Sequence, residues 1–255
     1  MLPISPASLL PVDLAQSTLI GRIWRDGPCV VAVRGGDVVD ITDTVATVAG
    51  LFESDDALDI ARHAPGTALG PVQALLEQAM AAPLERPLLL APCDLQAIKA
   101  CGVTFAVSLL ERVIEEQAGG DAARAASLRG ALQATLGSDL SALKPGSEAA
   151  QRLKQQLQQR GAWSQYMEVG IGPDAEVFTK AQAMSSVGCG AQVGLLPSSA
   201  WNNPEPEIVL AVNSRGAVLG ASLGNDVNLR DIEGRSALLL GKAKDNNGSC
   251  AIGPF

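Results

Sequence analysis

The feature that most constrains the fold is a stretch beginning at Trp201 that reads as one β-hairpin carrying several acids. Glu205 and Glu207 are two residues apart, so a strand places both side chains on the same face. An apolar run follows them, Asn213-Ser-Arg-Gly216 is typical of a turn, and residues 217–223 are typical of a returning strand. The sequence therefore predicts two antiparallel strands joined by a tight turn.

The register of this hairpin decides whether a third acid joins the pair. We take Arg215-Gly216 as a two-residue loop, which places Glu207 opposite Gly224. Glu205 then lies opposite Asp226, and directly opposed side chains have Cβ atoms about 5 Å apart. Three like charges at this spacing repel one another unless a cation neutralises them. A loop that differs by one residue moves Asp226 to the other face of the strand.

Carboxylates without histidine or thiolate partners favour a hard divalent cation, namely Mg²⁺, Mn²⁺ or Ca²⁺. The alternative is a solvated edge strand whose prolines, Pro204 and Pro206, protect it from pairing with another strand. A Glu-x-Glu pair alone favours this alternative. The third acid at matching register favours the metal interpretation instead.

Composition excludes several classes of protein. The chain has 255 residues, 47% of them hydrophobic, and a net charge of -8, which does not favour binding to nucleic acid or to an anionic membrane. The N-terminus has no basic start typical of a signal peptide, and His63 is the single histidine, which argues against Ser-His-Asp triads and histidine-rich zinc sites. Five scattered cysteines predict reduced thiols in a cytoplasmic protein: Cys29, Cys93, Cys101, Cys189 and Cys250.

Residues 1–96 are predicted to form a small N-terminal module. Two apolar runs flank Gly35-Gly36, which predicts a hairpin with a Gly-Gly turn. Residues 54–63 and 70–81 have the spacing of amphipathic helices. The module ends in a proline-punctuated linker.

Residues 97–255 are predicted to form the catalytic, metal-binding domain. Helical texture over about residues 105–160, including a helix over 108–117, interrupts it as an insertion. From Met167 onward the sequence changes to short β-like runs. The apolar end at Phe255 leaves few strands to close a β structure, so we expect C-terminal strands to be missing.

The motifs of the second domain occur in a recognisable order: Glu205-Pro-Glu207, Gly224-Asn-Asp226, Arg230-Asp231, Gly241-Lys-Ala-Lys244 and Ile252-Gly-Pro254. In this order the chain resembles the metal-site core of the fumarylacetoacetate hydrolase family. Phe178-Thr-Lys180 and Trp201-Asn-Asn-Pro-Glu205 make it most similar to the 2-keto-3-deoxy-pentonate dehydratase branch. The resemblance implies an α+β fold, in which a small N-terminal α/β module precedes a β-rich roll with a helical lid.

The resemblance also implies roles for individual residues. The three acids supply carboxylates to Mg²⁺ (or Mn²⁺), and Lys244 faces the substrate or metal, with Lys242 as the register alternative. Lys180 is the second candidate catalytic cation, and Asn225 is a candidate substrate contact. Arg230 and Asp231 are expected to form a structural pair at the start of a short helix.

A helix in the hydrolase and acylpyruvase branches carries a His and a Glu three residues apart, a dyad that activates water. Here Ser108 stands at the His position and Glu111 remains, both on one helical face. Loss of the imidazole removes the best general base near neutral pH, which argues against water-driven carbon–carbon cleavage. Glu111 becomes the candidate proton shuttle, and Ser108 a substrate contact. Glu115 and Glu116 are assigned to a solvated helix face.

The three acids and the absent dyad histidine favour a metal-dependent lyase that dehydrates a 2-keto-3-deoxy sugar acid. The resemblance to the dehydratase branch implies a pentonate as substrate and 2,5-dioxopentanoate as product. A 2-keto acid has two oxygens that fit the positions that three monodentate carboxylates leave open on an octahedral ion. The alternatives are a hydrolase or decarboxylase of 2,4-diketo acids and a non-catalytic assembly subunit. The expected partners are a small 2-keto acid and, by the family pattern, a second copy of the chain in a homo-oligomer, with no nucleic acid and no membrane.

Overall fold

The computed structural model describes residues 5–81, 88–102, 114, 117–128, 143–159, 163 and 165–255. It combines helices and sheets, which confirms the predicted α+β class. The strands are β1 (Leu19–Trp24), β2 (Pro28–Arg34), β3 (Asp37–Asp40), β4 (Thr67–Pro71), β5 (Leu89–Leu90), β6 (Ile98–Cys101), β7 (Val177–Ala181), β8 (Asn202–Asn203), β9 (Pro206–Val212), β10 (Val218–Asp226), β11 (Asn228–Leu229) and β12 (Cys250–Ile252). The α-helices are α1 (Val48–Glu53), α2 (Ala57–His63), α3 (Val72–Ala81), α4 (Glu148–Gln159), α5 (Gln165–Ile171), α6 (Arg230–Glu233) and α7 (Leu240–Lys244).

The first module is built on a five-stranded sheet of order β4-β3-β2-β1-β5. β2 and β3 form the predicted hairpin, with Arg34 opposite Asp37. Gly35 and Gly36 have φ of 58° and 90°, which glycine adopts at little steric cost. The Gly-Gly turn is therefore confirmed. Residues 30–33 of β2 are apolar and buried because both faces of the strand are covered: Val31 packs in the cluster with Leu76 of α3, and Val30 in the cluster with Val48 of α1.

Asp94 ties α1 to the strands of this module. Its carboxylate is 3% exposed and accepts the main-chain N–H groups of Val48 at 2.7 Å and Ala49 at 3.0 Å, the first turn of α1. It also accepts from the N–H of Leu95 at 2.8 Å. The buried Arg22 of β1 lies 3.6 Å from the same carboxylate. One acid thus joins a helix start, a strand and the linker that leads to β6.

β9 and β10 form the acidic hairpin, in a three-stranded sheet of order β12-β10-β9. Glu207 lies opposite Gly224, as the sequence predicts. The main-chain N–H of Asp226 donates to the carbonyl of Glu205 at 2.9 Å, so these two residues also lie side by side. The alternation along each strand then brings the three acids to one face.

The turn that produces this register differs from the predicted two-residue loop. Asn213 N donates to the carbonyl of Ala217 at 3.1 Å, which leaves three residues in the loop, and Gly216 has φ of 78°. The longer loop shifts Val218 by one residue relative to the prediction. An irregularity between Val218 and Gly220 shifts the register back. The extra loop residue and the irregularity therefore cancel, and the predicted register holds at the acidic end of the strand.

The tip of the hairpin rests on the N-terminal module. Ser214 donates its N–H and its hydroxyl to the carboxylate of Glu53, at 2.7 and 2.6 Å. Arg215 donates to the carbonyl of Glu53 at 3.3 Å and pairs with Asp55 at 3.2 Å. The hairpin is thus attached at its tip as well as through its sheet partners.

The prediction of mainly β-like structure after Met167 is wrong in part. Met167 itself lies in α5, and α6 and α7 follow β10. Of the predicted helical insertion, residues 122–128 and α4 are helical, whereas most of 108–117 lies outside the described residues. Within the described ranges, every helix is too short or too polar to cross a bilayer. The division into domains at residues 96 and 97 remains a proposal.

Candidate active site

Lys244 lies at the centre of the acidic face, at the end of α7. Its ammonium donates to Asp226 Oδ2 at 2.9 Å and to Glu205 Oε2, and it lies 5.4 Å from the centre of the Phe178 ring. Burial alone lowers the pKa of this lysine, but the charges of Glu205, Asp226 and Glu233 outweigh it and raise the pKa above its ordinary value. Lys244 is therefore a buried, protonated cation held by two of the three predicted metal ligands.

Lys180 lies beneath this cation and is 1% exposed. β7 carries it two residues after Phe178, so the two side chains share a face. Its ammonium donates to the main-chain carbonyl of Val227 at 2.8 Å and to that of Lys244. Burial lowers the pKa of Lys180, and the charge of Asp226 opposes this shift. Lys180 thus fixes the backbone on both sides of the site.

Glu207 is the third acid of the face and is half-buried. Burial raises its pKa, and the charges of Asp226 and Glu205 raise it further. The raised pKa means that the negative charge of Glu207 is repelled by its two neighbours. A bound cation would relieve this repulsion. The electrostatics therefore support the interpretation of this face as a cation site.

A second layer of polar residues holds Glu205 from the side opposite Lys244. Arg230 donates to Glu205 Oε1 at 2.9 Å, and Asn228 donates to the same oxygen at 3.1 Å. Both also reach the buried carboxylate of Glu233, Arg230 at 3.3 Å. Asn203 accepts from Arg230 at 3.1 Å. Sequence reasoning missed Asn228 and Glu233, although the spacing of three between Arg230 and Glu233 was a signal for their pairing on a helix.

The predicted pair of Arg230 with Asp231 is wrong. Adjacent residues of a helix point in different directions, so α6 sends Arg230 to Glu205 and Glu233. Asp231 instead accepts from the Ser199 hydroxyl at 2.7 Å and lies 3.4 Å from Arg235. Among the described residues, Arg230 and Asp231 therefore contact different groups, although both lie at the start of the short helix α6 as predicted.

Of the remaining predicted site residues, the structure describes Asn225 and Lys242 but not Ser108 and Glu111. The amide oxygen of Asn225 accepts a hydrogen bond from the main-chain N–H of Glu205 at 3.0 Å, so Asn225 helps to position Glu205. Lys242 is exposed on α7, whereas Lys244 is buried. Ser108 and Glu111 lie outside the described residues, as do Glu115 and Glu116.

The oxygens of the three carboxylates do not surround one common point. In the described part of the chain, no group of three or more His, Cys, Asp or Glu side chains is arranged to hold a metal. The ammonium of Lys244 takes up the oxygens that face one another. Asp226 Oδ1 is buried without a hydrogen bond among the described residues, although the Lys180 ammonium lies 3.1 Å away as an ion pair. The oxygens that face Lys244, Glu205 Oε2 and Asp226 Oδ2, together with Glu207 on the same face, are hard donors that fit a divalent cation.

Burial next to this face predicts a difference in thiol reactivity. Burial raises the pKa of Cys250, on β12 beside Asp226, to about 11, whereas Cys101 is exposed. At pH about 8 only about one Cys250 thiol in a thousand is ionised, so we expect iodoacetamide to modify Cys101 far sooner. Peptide mass spectrometry over time measures both rates. Modification of Cys250 should accelerate as the pH rises toward 11, and equal rates at pH about 8 would contradict the assignment.

Comparisons with known proteins bear on this geometry. No family model matches the chain. A probable 2-keto-3-deoxyxylonate dehydratase of Haloferax volcanii is 39% identical over 89 residues, which are 35% of this chain and 30% of that protein. A 2-dehydro-3-deoxy-D-arabinonate dehydratase of Saccharolobus solfataricus is 38% identical over 79 residues, 31% of this chain and 26% of that protein.

A solved 2-keto-3-deoxy-D-arabinonate dehydratase, complexed with magnesium and 2,5-dioxopentanoate, aligns with a TM-score of 0.57 at 18% identity. The alignment covers 93% of this chain and 65% of that one. The resemblance to the sugar-acid dehydratase branch is confirmed. The chain shares the fold of the solved dehydratase, spans less than two thirds of its length, and matches the curated dehydratases over less than a third of theirs.

Proposed function

We propose that this chain carries the active site of a divalent-metal-dependent lyase that dehydrates a 2-keto-3-deoxy pentonate to 2,5-dioxopentanoate. One observation carries the proposal: Glu205 Oε2 and Asp226 Oδ2 converge on a single buried cation, with Glu207 on the same face. The names of the similar dehydratases supply the substrate class. Magnesium in the solved relative supports the choice of Mg²⁺, with Mn²⁺ as the ion of overlapping ligand preference.

In this proposal Glu205, Glu207 and Asp226 hold the cation. When bound, the cation supplies Lewis-acid stabilisation of negative charge on the oxygens of the 2-keto acid. Lys244, protonated and buried, would offer a second positive charge to the same oxygens. Lys180 keeps the main chain of Lys244 in place.

Proton transfer in the proposal falls to Glu111. Its carboxylate removes the proton from C3, the electron pair of that bond forms the C3–C4 double bond, and hydroxide leaves from C4 as a protonated group donates to it. Removal of a C5 proton then shifts the double bond to C4–C5 while C3 takes up a proton, and the resulting enol transfers its hydroxyl proton to C4, which gives the C5 aldehyde. The net change is the loss of one water. A 2-keto group makes the C3 proton acidic enough for a carboxylate base, and the sequence has Ser108 where a water-activating histidine would stand three residues before Glu111.

The experiment that tests this function uses Glu207→Ala, which removes one proposed ligand and leaves the contacts of Glu205 intact. We expect loss of Mg²⁺ binding by calorimetry and loss of 2-keto-3-deoxypentonate turnover. Glu77→Ala, an exposed glutamate of α3, is the matched control and should keep both. Retention of both properties by Glu207→Ala, or consumption of an acylpyruvate in place of the pentonate by the unaltered chain, would overturn the proposal.

A further inference from the structure

We propose that Arg230 and Asn228 leave Glu205 only one oxygen for the cation, and that this restriction makes the site select Mg²⁺ over Ca²⁺. The inference rests on the proposed metal-dependent function and adds a specificity-determining role for two residues outside the ligand set. The inference concerns which carboxylate oxygens are available to the ion. It can therefore be tested by measuring metal binding in the absence of substrate.

The two oxygens of Glu205 have separate partners. Oε1 accepts from Arg230 at 2.9 Å and from Asn228 at 3.1 Å. Oε2 accepts from Lys244, on the acidic face. A cation in the place of the Lys244 ammonium would therefore contact Oε2. Oε1 would stay hydrogen-bonded to Arg230 and Asn228.

The donors to Oε1 are themselves fixed. Asn228 is 0% exposed, and its amide also donates to Glu233, which is 2% exposed. Arg230 reaches Glu233 at 3.3 Å and Asn203 at 3.1 Å with its other nitrogens. A guanidinium held at three points presents its N–H groups in a rigid fork. Glu205 thus has little freedom to turn and offer both oxygens to one ion.

Asp226 repeats the arrangement on the neighbouring strand. Its Oδ2 faces Lys244 at 2.9 Å, while the ammonium of Lys180 lies 3.1 Å from Oδ1. Lys180 is 1% exposed and is held by the carbonyls of Val227 and Lys244. Each of these two carboxylates therefore has one oxygen beside a fixed cation of the protein and one oxygen toward the site.

One oxygen per carboxylate favours the smaller ion. Mg²⁺ takes six ligands in a strict octahedron and keeps several waters, so monodentate carboxylates suit it. Ca²⁺ takes six to eight oxygens at longer distances and commonly gains its extra ligands from bidentate carboxylates. When the second oxygen of Glu205 is unavailable, the affinity for Ca²⁺ falls because Ca²⁺ loses a bidentate ligand. The affinity for Mg²⁺ is unaffected because Mg²⁺ needs only one oxygen from this carboxylate.

The test compares Arg230→Lys with Arg235→Lys in the full chain. Lysine keeps the charge but cannot hold Glu205 and Glu233 together as the fork does. Arg235 is more exposed than Arg230, and its ion pair in the described part of the chain is with Asp231, so its replacement is the matched control. Calorimetry without substrate gives the Kd for Mg²⁺ and for Ca²⁺, and circular dichroism reports folding.

We expect the preference for Mg²⁺ over Ca²⁺ to fall by about tenfold in Arg230→Lys, within the range typical of residues behind metal ligands, and to stay unchanged in Arg235→Lys. Asn228→Ser, which shortens the second donor, should shift the preference in the same direction and serves if Arg230→Lys does not fold. An unchanged preference in the folded variants overturns the selectivity inference alone. Absence of any divalent binding by the unaltered chain overturns the proposed function as well.

Discussion

Replacement of Lys244 with methionine is expected to slow turnover strongly and, at the same time, to tighten Mg²⁺ binding. The ammonium competes for the oxygens of Glu205 and Asp226 that the cation needs. Two unit charges about 4 Å apart interact by about 4 kcal/mol at an effective dielectric constant of about 20, so removal of this competitor should lower the Kd for Mg²⁺ by at least about tenfold. Loss of the charge that stabilises the reacting oxygens should reduce kcat by about 10²–10³-fold.

Calorimetry with Mg²⁺ and a dehydration assay on the same preparations measure the two effects. Lys99→Met, an exposed lysine that donates to Thr179 at 2.6 Å, controls for the loss of a positive charge. Lys242→Met tests the register alternative on α7, because loss of turnover there with full activity in Lys244→Met would transfer the role to Lys242. Weaker Mg²⁺ binding in Lys244→Met would show that the ammonium does not occupy the cation's place.

Replacement of Asp94 with alanine is expected to destabilise the N-terminal module strongly. The substitution leaves the first N–H groups of α1 without their acceptor and leaves the buried Arg22 without its counter-charge. Removal of one partner from a buried ion pair costs about 3–5 kcal/mol, far more than a surface pair contributes. Urea denaturation followed by circular dichroism should show a large fall in the transition midpoint.

The control for this change is Asp59→Ala. Asp59 pairs with His63 at 2.8 Å on α2, but both side chains are mostly exposed, 76% and 69% respectively. Exposed pairs contribute at most about 1 kcal/mol, so the midpoint should hardly move. Equal midpoints for the Asp94 and Asp59 variants would mean that the buried carboxylate does not hold α1 in place.

The acidic hairpin shows how far sequence reasoning reaches. The assumed two-residue loop predicted that Glu207 pairs with Gly224 and that Asp226 lies beside Glu205, and the acidic end of the hairpin has this register. The loop was wrong by one residue because the hydrogen bonds of the Asn213 side chain to the N–H groups of Arg215 and Ala217 stabilise a longer turn. The compensating irregularity has no sequence signal, because none of the residues from 218 to 220 must be buried.

The buried lysines illustrate a different limit. Most lysines are exposed, and composition gives no reason to bury Lys180 or Lys244. Only the resemblance to known motifs singled them out. Glu233 was missed for the same reason: a buried glutamate is recognised by its partners, and the partners of Glu233, Asn228 and Arg230, converge only after α6 has formed.

The contact between Ser214 and Glu53 gives the molecule a mechanical property. One end of the hairpin carries the acids, and the other end is clamped to a different module by two short hydrogen bonds. The acidic end is held separately by the pairing of residues 224–226 with β12, so the ribbon is restrained at both ends. Loss of Glu53 would leave it restrained at the acidic end alone, and the far half of the hairpin would move more freely.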